Sequence, residues 1–136
     1  MYLVSVYFDE KTNKTIQSLV NKVSGKTGNN FMIEGKVPPH ITVSAFETKQ
    51  EEKVLERLRA VAKDLSQNNL RWVSVGTFLP NVIYLAPVLN EYLQNMTQTI
   101  YRTIEDVDET KMNPFYLPYQ WMPHTTIGKL LTKEQM

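Results

Sequence analysis

The chain of 136 residues holds only two histidines, and both stand in the same local setting. The first segment reads Val37-Pro38-Pro39-His40-Ile41-Thr42-Val43-Ser44, and the second reads Trp121-Met122-Pro123-His124-Thr125-Thr126-Ile127-Gly128. Each histidine has proline at −1, threonine at +2 and a β-branched apolar residue at +3. Proline is about 5% of ordinary usage, so two independent prolines at −1 arise about 0.3% of the time. The two segments therefore read as one motif used twice.

In an extended chain, positions 0 and +2 point to the same face. Each His–Thr couple thus projects an imidazole and a hydroxyl side by side. The proline ahead excludes a helix there and sets the start of the strand. If the two segments pack with pseudo-twofold symmetry, the couples face each other across a groove. One imidazole then takes a proton while the other gives one. The hydroxyls hold the oxygens of a phosphoryl group as its charge shifts. Attack and departure on opposite sides of phosphorus need this layout. A lone histidine in a domain of this size is more often a satisfied surface or core residue. Two copies in matching context, using every histidine of the chain, reverse that expectation. A metal site is not expected, because two histidines without cysteine or an adjacent carboxylate do not complete a zinc ligand set. The absence of cysteine also excludes disulfides and a thiolate nucleophile.

The elements that must position these residues follow from hydrophobic periodicity. Tyr2 to Phe8 reads as a strand rather than a signal peptide. Ile16, Leu19, Val20 and Val23 mark one face of a helix, capped by Asp9 or Thr12 and closed by Gly25. Phe31 to Glu34 reads as a short strand, and His40 to Glu47 as a longer one. Thr48-Lys49-Gln50-Glu51 is a capping box ahead of a helix with Val54, Leu55, Leu58, Val61, Ala62 and Leu65 on one stripe. Leu70 to Phe78 and Asn81 to Pro87 pair across the Leu79-Pro80-Asn81 turn. A third helix runs from Asn90 to about Ile104. Glu105 to Pro123 shows no period, and a stretch of that length either serves function or hides a strand. His124 to Leu130 is the last strand. The chain reads as a single domain, 1–136; Thr132 to Met136 looks like either the start of a C-terminal helix cut short or a frayed tail. Strands and helices in this order predict an α+β fold with largely antiparallel sheet.

Composition agrees with a soluble, cytoplasmic protein: apolar residues are 42% and charged residues 21% of the chain. The formal charge is +1, which excludes a protein that holds nucleic acid by bulk positive charge but leaves room for a local phosphate site. No apolar run is long enough to span a bilayer.

The paired Pro-His-x-Thr strands, one in each half of a small α+β chain, resemble the two-histidine (2H) phosphoesterase superfamily. That group includes the bacterial 2′-5′ RNA ligase-like proteins and cyclic nucleotide phosphodiesterases. The resemblance spans the first strand to Leu130, and the family's His-x-Thr/Ser pattern falls on His40 with Thr42 and on His124 with Thr126. It implies two similar lobes around a central cleft, with the motifs on facing strands and helices outside. It also implies cofactor-free, metal-independent chemistry on 2′,3′-cyclic phosphates or 2′-5′ linkages of a nucleotide or RNA end.

For a cyclic phosphate, His124 is taken as the base acting on water and His40 as the acid that protonates the departing ribose oxygen. Ser44 extends the His40 face at +4. Tyr119 and Trp121, with Phe115 and Tyr116, offer rings that can stack on a nucleobase. Lys129 reaches the His124 face only if a bulge resets the alternation. Tyr7 and Phe8 read as packing residues. A monomer without a protein partner is expected. The alternative is a binding module that recognises nucleotides or RNA ends in the same groove without turning them over.

Overall fold

A computed structural model describes all 136 residues. The elements are β1 (Tyr2–Tyr7), α1 (Glu10–Thr27), α2 (Phe31–Glu34), β2 (His40–Thr48), α3 (Glu51–Ala62), β3 (Trp72–Phe78), β4 (Val82–Pro87), α4 (Glu91–Ile104), β5 (Thr110–Met112), a single 3-10 turn (Pro114–Tyr116) and β6 (Thr125–Lys129). They form two three-stranded sheets, ordered β1-β2-β5 and β3-β4-β6. The pairs β2–β5, β3–β4 and β4–β6 are antiparallel, so the fold is α+β as the element order predicts.

The chain divides into two compact units that interleave along the sequence. The first contains Met1–Ser5, Thr42–Leu70 and Val88–Pro123; the second contains Val6–Ile41, Arg71–Pro87 and His124–Met136. The first unit buries Phe46 of β2, Val54 of α3, Ile104 of α4 and Val107 in one cluster, with Tyr2, Val4, Leu58 and Met112 packed around them. The second buries Ile16 and Val20 of α1 with Leu85 of β4 and Ile127 of β6. Each unit is thus a small sheet held by helices through one apolar face. Each fully buried aliphatic side chain contributes about 1.5–3 kcal/mol to that packing.

Local chemistry explains where elements start. Asp9 caps α1, its Oδ1 accepting from the Thr12 N–H at 2.9 Å. Asn90 caps α4 the same way, through the Leu93 N–H at 2.9 Å. Three departures from the periodicity reading have a clear local cause. Helix α1 runs past Gly25 and stops at Gly28, whose φ of 73° needs a residue without a side chain. Helix α3 starts at Glu51, because Thr48 bonds the Gln50 N–H at 2.9 Å and stays at the end of β2. Phe31–Glu34 is a helical turn rather than a strand: Asn29 Oδ1 accepts from the Phe31 N–H at 3.1 Å and turns the chain. The unassigned stretch does hide a strand, the three residues of β5 against Phe46–Thr48.

No helix is long and apolar enough to cross a membrane.

Candidate active site

Strand β2 opens at His40, directly after Pro38-Pro39. Burial alternates over its first four residues. Ile41 and Val43 are 0% exposed, while His40 and Thr42 are half-buried on the other face. His40 Nδ1 lies 2.9 Å from the Pro38 carbonyl oxygen. A carbonyl only accepts, so Nδ1 carries the hydrogen and the neutral ring keeps its lone pair on Nε2. The Tyr7 ring, at the end of β1, stands 5.9 Å from the His40 ring and tilted by 47°. Tyr7 is 64% exposed, so of the two residues read as packing only Phe8 packs inward, edge-on to Trp72 at 5.5 Å. Thr42 Oγ1 meets Ser5 Oγ at 3.4 Å.

The second motif is built differently. His124 stands one residue ahead of β6, which begins at Thr125 rather than at the histidine. Thr126 lies opposite Tyr84 of β4, and Thr125 opposite Leu85. The register then slips, because Thr126 and Gly128 face the consecutive residues Tyr84 and Ile83. Ile127 is the extra residue of a bulge and points into the core. His124 rests against two aromatic rings. Phe78 of β3 is 4.9 Å away at an interplanar angle of 81°, and Tyr84 is 5.5 Å away at 63°. Phe78 and Tyr84 are themselves stacked, 4.3 Å apart at 28°.

The remaining candidates separate. Ser44 is only 2% exposed and its Oγ has no hydrogen-bond partner, so the open face of β2 closes beyond Thr42. Trp121 is 5% exposed, and its indole N–H donates to the Thr42 carbonyl at 3.1 Å. That ring anchors the strand that carries Thr42 instead of offering a face to a ligand. Tyr119 is 79% exposed with a φ of 64°, and its hydroxyl accepts from Gln98 Nε2 at 2.8 Å. Burial pushes the Tyr116 phenol above its ordinary 10.0. The bulge that Lys129 needs is present, and its Nζ lies 5.9 Å over the Phe31 ring. No group of three His, Cys, Asp or Glu side chains is placed to hold a metal ion.

Sequence reasoning missed Phe78, Tyr84 and Tyr7. The signal for the first two was available. Counting back from the Leu79-Pro80-Asn81 turn sets Phe78 opposite Val82 and Gly76 opposite Tyr84, so the two rings share a face.

Charge is unevenly divided as well. The second unit holds eight Lys and Arg against four Asp and Glu, a formal +4; the first holds seven against ten, a formal −3. Both histidines belong to the positive unit.

An α+β chain whose two Pro-His-x-Thr segments each lead into a strand of a separate antiparallel sheet defines the class. Residues 11–136 match the 2′-5′ RNA ligase superfamily. The chain belongs to that superfamily, a branch of the two-histidine phosphoesterases that the paired motif resembles. No curated protein matches it.

Proposed function

We propose that this protein is a phosphoesterase that opens a 2′,3′-cyclic phosphate, or cleaves a 2′-5′ phosphodiester, at a nucleotide or RNA end. The reading is carried by the duplicated His-x-Thr motif in a chain of this superfamily. His124 accepts a proton from water as the water oxygen attacks phosphorus. The bond from phosphorus to the leaving ribose oxygen breaks, and that oxygen takes a proton from His40. A phosphomonoester and a hydroxyl result, and the exchanged protonation states are reset by solvent. The His40 Nδ1–H to Pro38 bond supports this role, because it leaves Nε2 as the nitrogen that gives the proton and then holds the lone pair. Thr42 and Thr126 donate hydroxyl hydrogen bonds to the non-bridging oxygens. Run backwards, the same groups exchange roles and join ends.

The formal +4 of the histidine-bearing unit favours an anionic substrate without requiring a basic chain overall. Tyr119, which is 79% exposed, is the ring we assign to the nucleobase.

The test is turnover of 2′,3′-cyclic nucleotides and 2′-5′ dinucleotides, with and without a chelator, by the native chain and by His40→Ala and His124→Ala. Chelator-resistant turnover with a bell-shaped pH profile, abolished by either substitution, supports the mechanism. Turnover that persists in either variant sinks it. Saturable binding of AMP by calorimetry with no product over hours would replace the enzyme by a binding module that uses the same residues.

A further inference from the structure

We propose that Phe78 and Tyr84 are positioning residues for His124, and that Gly76 exists to seat the Tyr84 ring. The inference rests on the catalytic role given to His124 above, and it concerns neither a motif residue nor a ligand contact.

His124 stands immediately ahead of β6, which begins at Thr125. An imidazole that moves protons must keep its reacting nitrogen within a fraction of an ångström of its target. The two rings supply a fixed surface for it. Phe78 and Tyr84 are stacked on each other, and the imidazole stands steeply to both, at 81° and 63°. Edge-to-face contacts of this kind are directional because the positive rim of one ring meets the negative face of another. Two such contacts limit how the imidazole can turn.

The stack depends on one residue of β3. Gly76 lies directly opposite Tyr84 in the register. A Cβ built on Gly76 would fall 2.5 Å from Tyr84 Cζ and Oη and 2.9 Å from Cε2. The hydroxyl end of the Tyr84 ring therefore lies over the bare backbone of Gly76 while the ring stacks on Phe78. Neither φ nor a turn demands glycine here; Gly76 sits inside a strand, where glycine is a weak choice. The clearance for Tyr84 is the physical reason for it.

The chain's two histidines make the test tractable, since His40→Ala assigns the remaining imidazole resonances to His124. Proton–carbon spectra of the rings are compared for the native chain, Phe78→Leu, Tyr84→Leu, Tyr84→Phe and Gly76→Ala, after thermal unfolding confirms a folded state for each. Loss of either ring, or Gly76→Ala, removes or alters the ring-current displacement of His124 and leaves His40 in place. In turnover, Tyr84→Leu lowers kcat about 10–100-fold with KM within about twofold, and Tyr84→Phe, which keeps the ring, retains most of kcat. The Gly76→Ala effect disappears in a Tyr84→Leu background, because the displaced ring is no longer there.

Unmoved His124 resonances overturn the proposal. So does a rise in KM at constant kcat, which would make the rings ligand contacts, or full loss in Tyr84→Phe, which would assign the role to the hydroxyl. The spectra stand without any activity. Moved resonances in a chain that turns nothing over would keep the bracket and discard the enzymatic reading.

Discussion

The first histidine stands beside one aromatic ring and the second against a stacked pair. His40 opens β2, the central strand of its sheet, and its ring nitrogen is tied to a backbone carbonyl two residues back. His124 stands at the mouth of β6, an edge strand, and leans on two stacked rings. Each has an aromatic neighbour from the adjacent strand: Tyr7 of β1 for one, Tyr84 of β4 for the other. The same four-residue motif thus opens a central strand in one sheet and an edge strand in the other. The tie to Pro38 selects a tautomer for His40, and the two rings limit the orientation of His124. A duplicated motif keeps its spacing while its strand position and its aromatic surroundings differ.

The largest effects fall on the imidazoles. Either His40→Ala or His124→Ala should lower kcat/KM by about 10²–10⁴-fold, the range for losing a general acid or base. The double variant should lose little more than the worse single one if the two act as a unit. Steady-state turnover of a cyclic phosphate measures all three, and additive losses would show that the halves work independently.

The threonines come next, and they sharpen the comparison. Thr42→Val and Thr126→Val keep the β-branched shape and remove the hydroxyl. Each should cost about 10²-fold in kcat if it binds a non-bridging oxygen. Ser5 already pairs with the Thr42 hydroxyl, and no equivalent serine faces Thr126 in the register, where Tyr84 stands. Ser5→Ala should therefore change the Thr42 half alone. If Ser5→Ala matches the loss of Thr42→Val, the hydroxyl pair and not the single threonine is the phosphate contact.

The two halves also differ in how much could be read in advance. Prolines and alternation exposed both motifs, and the periodic runs exposed α1, α3 and α4, since a face with several apolar side chains is a strong signal. Helix α2 was misread because four residues hold no full period, and the Asn29 turn decides its shape. The three-residue β5 has no pattern apart from its partner β2. The bulge at Ile127 and the Phe78–Tyr84 stack exist only in the pairing of strands distant in sequence. Trp121 was expected to meet a ligand because it is aromatic and near a histidine; only packing could show it buried against β2. Local rules located the chemistry, and cross-strand register determined its support.

Stability effects are smaller and can be placed in either unit. Ile104, at 0% exposure, and Ile127 at the bulge are the matched pair. Ile104→Val and Ile127→Val should each cost about 0.5–1.5 kcal/mol in urea unfolding. Only Ile127→Val, three residues beyond His124, should also lower kcat. Asn90→Ala removes a cap and should cost about 1 kcal/mol with activity intact.

The smallest effect concerns acid. The Arg57 guanidinium bonds the Asp106 carboxylate at 2.5 Å in the first unit and holds it below the ordinary 3.8. In the second, the hydrogen bond from the Thr12 side chain and then that from its backbone N–H do the same for Asp9. A carboxyl depressed in the folded state stabilises above its unfolded value, and that contribution is lost as pH falls through the folded one. Both groups are open to solvent, so each share is modest. Denaturation midpoints taken from pH 6 down to pH 2 should show Asp106→Asn and Asp9→Asn trailing the native chain at the upper end. The gap should close as pH drops below about 4. Arg57→Leu should remove the pH dependence assigned to Asp106 and leave that of Asp9 untouched, because the two carboxyls answer to different partners in different units. A gap that persists at pH 2 would mean the asparagines disturb local packing and that neither charge accounts for the difference.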